Sequence, residues 1–395
     1  MTKTRAYMDH NATAPVRPEA AEAVARALAL TGNPSSVHAE GRRARHIVEE
    51  ARADVAKLVH AKPGEVIFTS GGTEAANLAL YVAKNALGVE RLIVSAIEHD
   101  CVRTAASALG LPVAVAPVDA DGVIDLDALS KLLAEPGKPL LALMLANNET
   151  GVVQPIVEVV DLANGAGAVV LTDAVQAVGR MRVDFGALGV AMLLLSAHKI
   201  GGPQGVGALV IREGLAFAPL IQGGGQEQRR RAGTENVPGI AGFGVAAKLA
   251  IDDYKAMPHV LALRMRLEAA IREAACGGVT IFGANAPRLA NTSLFAASGL
   301  NAETLIMALD LDGIAVSAGS ACSSGKVARS HVLAAMGVDD ALAKGAIRVS
   351  LGIDNTQDEV DRLAASWSRL AKRASEKRQI AKASAVSPAL AEVEH

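Results

Sequence analysis

A series of short, continuous apolar runs separated by amphipathic stretches constrains this chain more than any other feature. Between about Ala39 and Ala250 the runs are Val66–Thr69, Arg91–Ser95, Val113–Val118, Leu140–Ala146, Val169–Thr172, Met192–Ser196 and Gly207–Ile211. Most do not alternate apolar with polar residues, which is how strands covered on both faces read. Helical patterns fall between them, at Thr73–Asn85, Val102–Leu109 and Leu126–Leu133, and earlier Ile47, Val48, Ala51, Val55, Leu58 and Val59 share one helical face. The alternation predicts an α/β domain with a mostly parallel sheet and right-handed crossovers. Ligands of such sheets sit beyond the carboxyl ends of the strands. Reactive residues are therefore expected just after the runs.

Near Asp252–His259 the pattern changes. A long helix over Val260–Ala275 leads into shorter elements around Val279–Phe282, Asn291–Phe295, Ala302–Leu309 and Ala346–Leu351. This predicts a large α/β domain over 15–258 and a smaller α+β domain from 1–14 and 259–375. The tail 376–395 is alanine-rich and charged, without a clear core-facing stripe, and reads as a mobile or partner-dependent extension.

Composition excludes several classes. The 39 basic and 41 acidic residues nearly cancel, so nothing draws the chain generally to nucleic acid or an anionic membrane. The run Arg229-Arg230-Arg231 is too short to change that. No apolar run approaches the roughly 20 residues that cross a bilayer, and the start of the chain lacks a secretory h-region. Cys101, Cys276 and Cys322 are far apart and odd in number. That disfavours a disulfide framework or a zinc site and suits a reducing cytoplasm.

The ends of the runs carry chemistry. Lys199 closes Leu193-Leu194-Leu195-Ser196-Ala197-His198-Lys199. Desolvation there disfavours an ammonium, and a neutral amine forms a Schiff base with an aldehyde such as pyridoxal phosphate. A snorkelling lysine is the ordinary alternative, so the rest of a site is needed. Ser70-Gly71-Gly72-Thr73-Glu74 precedes a helix and suits a phosphate cup, with Thr73 as hydroxyl donor and Ser196 and His198 as further contacts. Glu98-His99-Asp100 offers an imidazole that stacks on a ring, moves a proton or simply caps a helix. Asp173, with Gln176 three residues on, suits a protonated pyridine and its phenolic oxygen. Asn148, after another run, suits a substrate carboxylate or the ring oxygen, or else only a turn. No single motif decides the matter. Their order does: Gly-rich turn, His, Asn, Asp-x-x-Gln, Ser-x-His-Lys.

A second signature is Ser317-Ala318-Gly319-Ser320-Ala321-Cys322-Ser323-Ser324-Gly325-Lys326. Small residues around Cys322 predict a flexible segment whose thiol reaches a cleft and carries sulfur away; an ordinary thiol pKa of about 8.5 leaves some thiolate at neutral pH. Arg348, in the strand-like Ile347-Arg348-Val349-Ser350, offers a fork for an amino-acid carboxylate.

These residues resemble the cysteine desulfurases of the nitrogen-fixation and iron–sulfur-cluster type, in the class V aminotransferase branch of fold-type I pyridoxal phosphate enzymes. The likeness begins at Asp9-His10-Asn11-Ala12-Thr13 and Gly32-Asn33-Pro34-Ser35-Ser36-Val37-His38. It continues through the motifs above and Gly233-Thr234-Glu235-Asn236-Val237-Pro238-Gly239 to Arg348, leaving out little but the tail. The resemblance implies that Lys199 carries pyridoxal phosphate, His99 stacks on its ring, Asp173 pairs with the ring nitrogen and Gln176 meets the phenolic oxygen. It implies that Gly72, Thr73, Ser196 and His198 hold the phosphate. Thr234 would reach the phosphate of a second subunit, so a homodimer is expected. Asn148, Arg348 and Asn11 would bind L-cysteine, and Cys322 would take its sulfur as a persulfide, leaving L-alanine. A scaffold for iron–sulfur assembly or another sulfur acceptor is the implied partner.

Two positions depart from the family pattern. Gln226-Glu227-Gln228-Arg229 stands where Gln-Glu-Arg-Gly is common, and Arg329 where a proline often precedes Ser330-His331. The rival readings are a selenocysteine lyase or other class V lyase or aminotransferase, and a non-catalytic sulfur-carrier subunit. A dinucleotide-binding dehydrogenase is disfavoured, because no GxGxxG follows a first strand with an acid about 20 residues on.

Overall fold

The computed structural model describes residues 5–275, 278–319 and 329–386. A short strand, β1 (Ala6–Tyr7), opens it. The central seven-stranded sheet uses β2 (Val66–Thr69), β3 (Arg91–Ser95), β4 (Val113–Ala116), β5 (Pro139–Ala142), β6 (Val169–Asp173), β7 (Met192–Ser196) and β8 (Gly207–Ile211), in the order β2-β8-β7-β6-β5-β3-β4. β8 runs antiparallel to β2 and β7, and the other neighbours pair in parallel. β5 ends earlier than its apolar run, but the backbone N–H groups of Leu143 and Leu145 still donate to Leu171 and Asp173. The mostly parallel sheet expected from the continuous runs is present.

The reason for the runs is visible in β7. Leu193 and Leu195 enter the core on one face of the sheet and Leu194 the core on the other. Each buried leucine is worth about 1.5–3 kcal/mol relative to exposure. β4 is an exception. It lies at a sheet edge, where Val113 is 39% and Val115 61% exposed, so its apolar run does not mark a strand covered on both faces. The opposite edge is closed. The N–H of Phe68 in β2 donates to Glu227, and the carbonyl of Val66 accepts from Arg52. Glu227 and Arg52 join in a buried, two-pronged ion pair at 2.7 and 2.8 Å.

A second core gathers Met8, Leu267, Phe295 and Trp367. It packs on an antiparallel sheet of β9 (Val279–Ile281), β10 (Thr292–Ala297), β12 (Ser317–Ala318) and β13 (Ile347–Ser350), ordered β12-β13-β10-β9, while β11 (Ile314–Ala315) pairs in parallel with β1. The helices Met257–Ala274 and Gln357–Val386 belong to this half. The last helix runs on through Val386, so the first part of the alanine-rich tail is helical. Its Ala, Lys, Gln and Glu content favours helix even without an apolar stripe. Among the described residues no helix is long and apolar enough to cross a membrane.

The two halves meet through the chain after β1. Asp9 bridges to Ser350 of β13, and Ala14 N–H then donates to the carbonyl of His198 just past β7. That crossing lays Asn11 and Ala12 over the ends of the central strands.

Candidate active site

The carboxyl ends of β2, β3, β6 and β7 open into a cleft of about 350 Å³. Its floor begins with the Gly71-Gly72 turn. Gly207 of β8 lies so close to this turn that a Cβ on it would stand 2.7 Å from the Gly71 carbonyl carbon. This approach brings the start of the helix Gly72–Asn85 beside Ser196. Gly72, Thr73, Ser196 and His198 all face the cleft. Helix-start N–H groups, hydroxyls and an imidazole make a donor set for an anion. Burial and the charge of Lys199 lower the His198 pKa to about 4, so its imidazole is neutral near pH 7, and a ring nitrogen lies 3.2 Å from the Thr13 hydroxyl.

Lys199 lies at the end of a short helical turn after β7, half-buried. Its Nζ donates to the carbonyls of Asn11 and Ala12 at 2.6 and 2.7 Å. These bonds hold the amine at the cleft.

Asp173 ends β6, and one carboxylate oxygen accepts the N–H of Val175 at 2.9 Å. Burial raises its pKa, against that bond and the charges of His99 and Lys199. A cation set against this carboxylate, such as a protonated ring nitrogen, would favour the ionised form. His99 caps the helix Asp100–Ala108: its Nδ1 accepts the Cys101 N–H at 3.1 Å. In a neutral imidazole that bond leaves the proton on Nε2. Capping and a place in the cleft therefore occur together.

Gln176 is oriented from behind. The guanidinium of Arg180, itself half-buried, donates to its backbone carbonyl and to its Oε1. Arg180 has no acceptor, so Oε1 must face it and the NH₂ must face the other way. That NH₂ donates to the Asn11 carbonyl at 3.0 Å.

Arg348, on β13, reaches the cleft from the second core. It donates to the Asn148 carbonyl at 3.0 Å and to Asp9 at 2.7 Å, while its buried Nε has no hydrogen-bond partner among the described residues. A buried donor of this kind is costly to leave unmet, and a substrate carboxylate fits it. The Asn11 side chain is engaged within the fold, donating to the Asn148 carbonyl and Thr292 and accepting from Asn291. What Asn11 turns toward Lys199 and Gln176 is its backbone carbonyl.

The structure thus gathers Asn11, Gly72, Thr73, His99, Asn148, Asp173, Gln176, Ser196, His198, Lys199 and Arg348 around one cleft. Thr234 is exposed and does not line it. Cys322 and Cys276 lie outside the described residues. Sequence reasoning missed Cys101 and Met144, which also line the cleft. It missed the buried Glu98 and Glu149 next to it as well. Burial and nearby Asp173 push Glu98 up to about 8, and burial pushes Glu149 up to about 7. Glu98 stands beside His99 in the sequence and Glu149 beside Asn148, so neighbourhood was the available signal.

The donor set fits pyridoxal phosphate: an anion cup, an amine, and a buried carboxylate in need of a cation. The family model for class-V aminotransferases matches residues 6–363. The chain is 42% identical over 368 residues to a protein of Dictyoglomus turgidum named cysteine desulfurase IscS, covering 91% of this chain and 92% of that one. It is 45% identical over 367 residues to a cysteine desulfurase of Cereibacter sphaeroides, covering 91% and 94%. The crystal structure of a NifS-like protein from Rickettsia africae superposes with a TM-score of 0.85 at 34% identity, over 93% of this chain and 99% of that one. The chain belongs to the class-V aminotransferase family, a family of pyridoxal phosphate enzymes, and within it to the cysteine desulfurases.

Proposed function

We infer that this protein is a pyridoxal phosphate-dependent cysteine desulfurase that converts L-cysteine to L-alanine and leaves the sulfur on Cys322 as a persulfide. The observation that carries the reading is the meeting of Lys199, Asp173, His99, Gln176 and Arg348 in one cleft that also holds a cup for an anion. A structural neighbour described as in complex with cysteine, at 30% identity and a TM-score of 0.75, is consistent with this substrate.

When bound, pyridoxal phosphate supplies an aldehyde carbon for amines and a protonated ring that takes up an electron pair. Gly72, Thr73, Ser196 and His198 would hold its phosphate. Lys199 Nζ would hold it covalently, and the same amine would move the proton from the substrate Cα. Asp173 would keep the ring nitrogen protonated. Gln176, with its amide turned by Arg180, would donate toward the phenolic oxygen, and His99 would pack against the ring. Arg348 and Asn148 orient the substrate carboxylate, with Asn11 shaping that end through its carbonyl. The Cys322 thiolate then takes the substrate sulfur. An S–S bond forms, the Cβ–S bond breaks, and its electron pair ends with a proton on Cβ of alanine.

We assign Thr234 to the phosphate site of a partner subunit in a homodimer. Its exposure, and the buried Glu235 Oε2 that has no partner among the described residues, support a surface completed by a second chain. We place the domain boundary near 258, with 1–14 joining 259–375. The persulfide acceptor is assigned to an iron–sulfur scaffold or another thiolation protein in the cytoplasm.

The test is direct. The purified protein should be yellow, and L-cysteine with a reductant should yield alanine and sulfide. Cys322→Ala should keep the colour and lose alanine formation. Lys199→Ala should lose both the normal visible absorbance and turnover. Full turnover by either variant would overturn that residue's role, and keto acid in place of alanine and sulfide would point to transamination.

A further inference from the structure

Glu149 is not needed for any step above, yet it is buried next to the cleft, one residue beyond Asn148, which lines it. It is 3% exposed. The turn that carries it is rigid: the Asn147 side-chain oxygen accepts the N–H groups of Glu149 and Thr150, both at 2.9 Å. The same turn is pressed against β10. Gly151, at φ 76°, sits where a Cβ would stand 2.7 Å from Thr292 Cβ. One residue before Glu149, Asn148 faces the cleft and its carbonyl accepts from Arg348 and Asn11.

The Glu149 carboxyl points away from these bonds, toward β12 and the helix His331–Ala335. Its Oε2 accepts the Ser330 hydroxyl at 2.6 Å. Ser330 is the N-cap of that helix, and its oxygen accepts the Leu333 N–H at 3.1 Å. The same Glu149 Oε2 lies 2.9 Å from where a Cβ on Gly319 would stand. Gly319 directly follows β12, so one carboxylate oxygen meets the chain both before and after the segment whose sequence contains Cys322. Among the described residues Arg329, next to Ser330, makes an exposed ion pair with Asp340. Pairs of that kind hold little, so the buried Ser330 contact is the firmer tie.

We propose that Glu149 is a positioning residue for sulfur transfer, bracing Gly319 and Ser330, the two ends of the Cys322-bearing segment, against the turn that presents Asn148 to the substrate. The proposal rests on the desulfurase reading. It assigns to Glu149 the step in which Cys322 meets the substrate sulfur, and no part in holding the cofactor. Arg348, His99 and Asp100 are the charged or titratable groups around it, the first two favouring its carboxylate and Asp100 opposing it.

The experiment uses the full-length holoenzyme. Two single-turnover signals after mixing with L-cysteine are compared in wild type, Glu149→Ala and Glu149→Gln: the change in cofactor absorbance, and persulfide on Cys322. Glu149→Ala should leave the absorbance change within about threefold and slow persulfide formation about tenfold or more, since small misplacements of reacting groups cost up to about 100-fold. Glu149→Gln keeps an oxygen for the Ser330 hydroxyl and should recover to within about threefold of wild type. A normal persulfide rate in Glu149→Ala overturns the proposal, as does an equal loss in both signals or a Gln variant as slow as Ala. Should Glu149→Ala fail to fold, Ser330→Ala decides by the same two signals: it removes the hydroxyl that donates to Glu149 and should slow persulfide formation alone. A wild-type enzyme that forms no persulfide on Cys322 refutes the functional reading instead.

Discussion

Two regions bury charge at the ends or edges of the same sheet, and they treat it in opposite ways. At the free edge of β2, Arg52 and Glu227 are nearly inaccessible, with side chains 4% and 2% exposed. Their demands are met: two bonds to each other, one each to the Val66 carbonyl and the Phe68 N–H, and the Arg52 guanidinium 4.8 Å over the Phe68 ring. Burial works against the Arg52 charge, yet Glu227 raises its pKa overall. In and beside the cleft the demands are met only in part. Among the described residues Arg348 Nε has no partner, and Asp173, Glu98 and Glu149, each with a hydrogen bond, still have pKa values raised first by burial. Satisfied buried charge closes a sheet edge that would otherwise template aggregation. Unsatisfied buried charge marks where a ligand is to supply the missing partner.

The contrast can be broken by substitution. Glu227→Ala removes the buried partner of Arg52, leaving it the more exposed Glu49 at 3.2 Å, and should cost about 3 kcal/mol of stability, read by denaturant unfolding. A loss below about 1 kcal/mol would show that the edge pair is not the structural element claimed. Asp173→Asn should do the reverse. Turnover of L-cysteine should fall about 100-fold or more, while the cofactor-free protein unfolds within about 1 kcal/mol of wild type. A large loss of stability there would erase the distinction.

A pH series sharpens it further. Glu98 and Glu149 have folded pKa values of about 8 and about 7, against 4.5 for an ordinary glutamate. As pH rises from about 4.5 to about 8, the unfolded chain releases these protons while the folded chain keeps them. The folded state then binds more protons, so stability falls as pH rises through that window. The melting temperature of the cofactor-free protein should decline accordingly, and Glu98→Gln should flatten the decline. A melting temperature that rises toward pH 8 would contradict the assigned burial.

The smallest effect concerns Arg229. Glu227, Gln228 and Arg229 occupy left-handed backbone at φ 46°, 57° and 67°. The glycine common in this family at the position of Arg229 adopts that conformation without a Cβ penalty, whereas arginine does not. Arg229→Gly should therefore stabilise the chain by about 1 kcal/mol or less, the relief of strain being partly offset by a more flexible unfolded state. A clear destabilisation would mean that the Arg229 side chain holds the turn in place.

Much was legible before any coordinates. Leu193-Leu194-Leu195 announced a strand with two covered faces, and the polar residues that followed most of the parallel runs fell into one cleft, because parallel strands place their carboxyl ends on the same side of a sheet. The exposed valines of β4 show where that reading stops. An apolar run records residue type, not position in the sheet, and an edge strand lacks a neighbour that only strand order reveals.

The linear order of Lys199, Asp173, His99 and Cys322 was enough to raise the reaction chemistry as an expectation, since those groups keep their intrinsic reactivity wherever the chain carries them. The long-range partners came from tertiary contact alone. Gln176 donates to the Asn11 carbonyl across 165 residues, and Arg348 meets Asp9 across 339. Glu149 meets Ser330 across 181. Burial and pairing depend on what the folded chain brings within hydrogen-bonding distance, and separations of that length leave no local pattern to read.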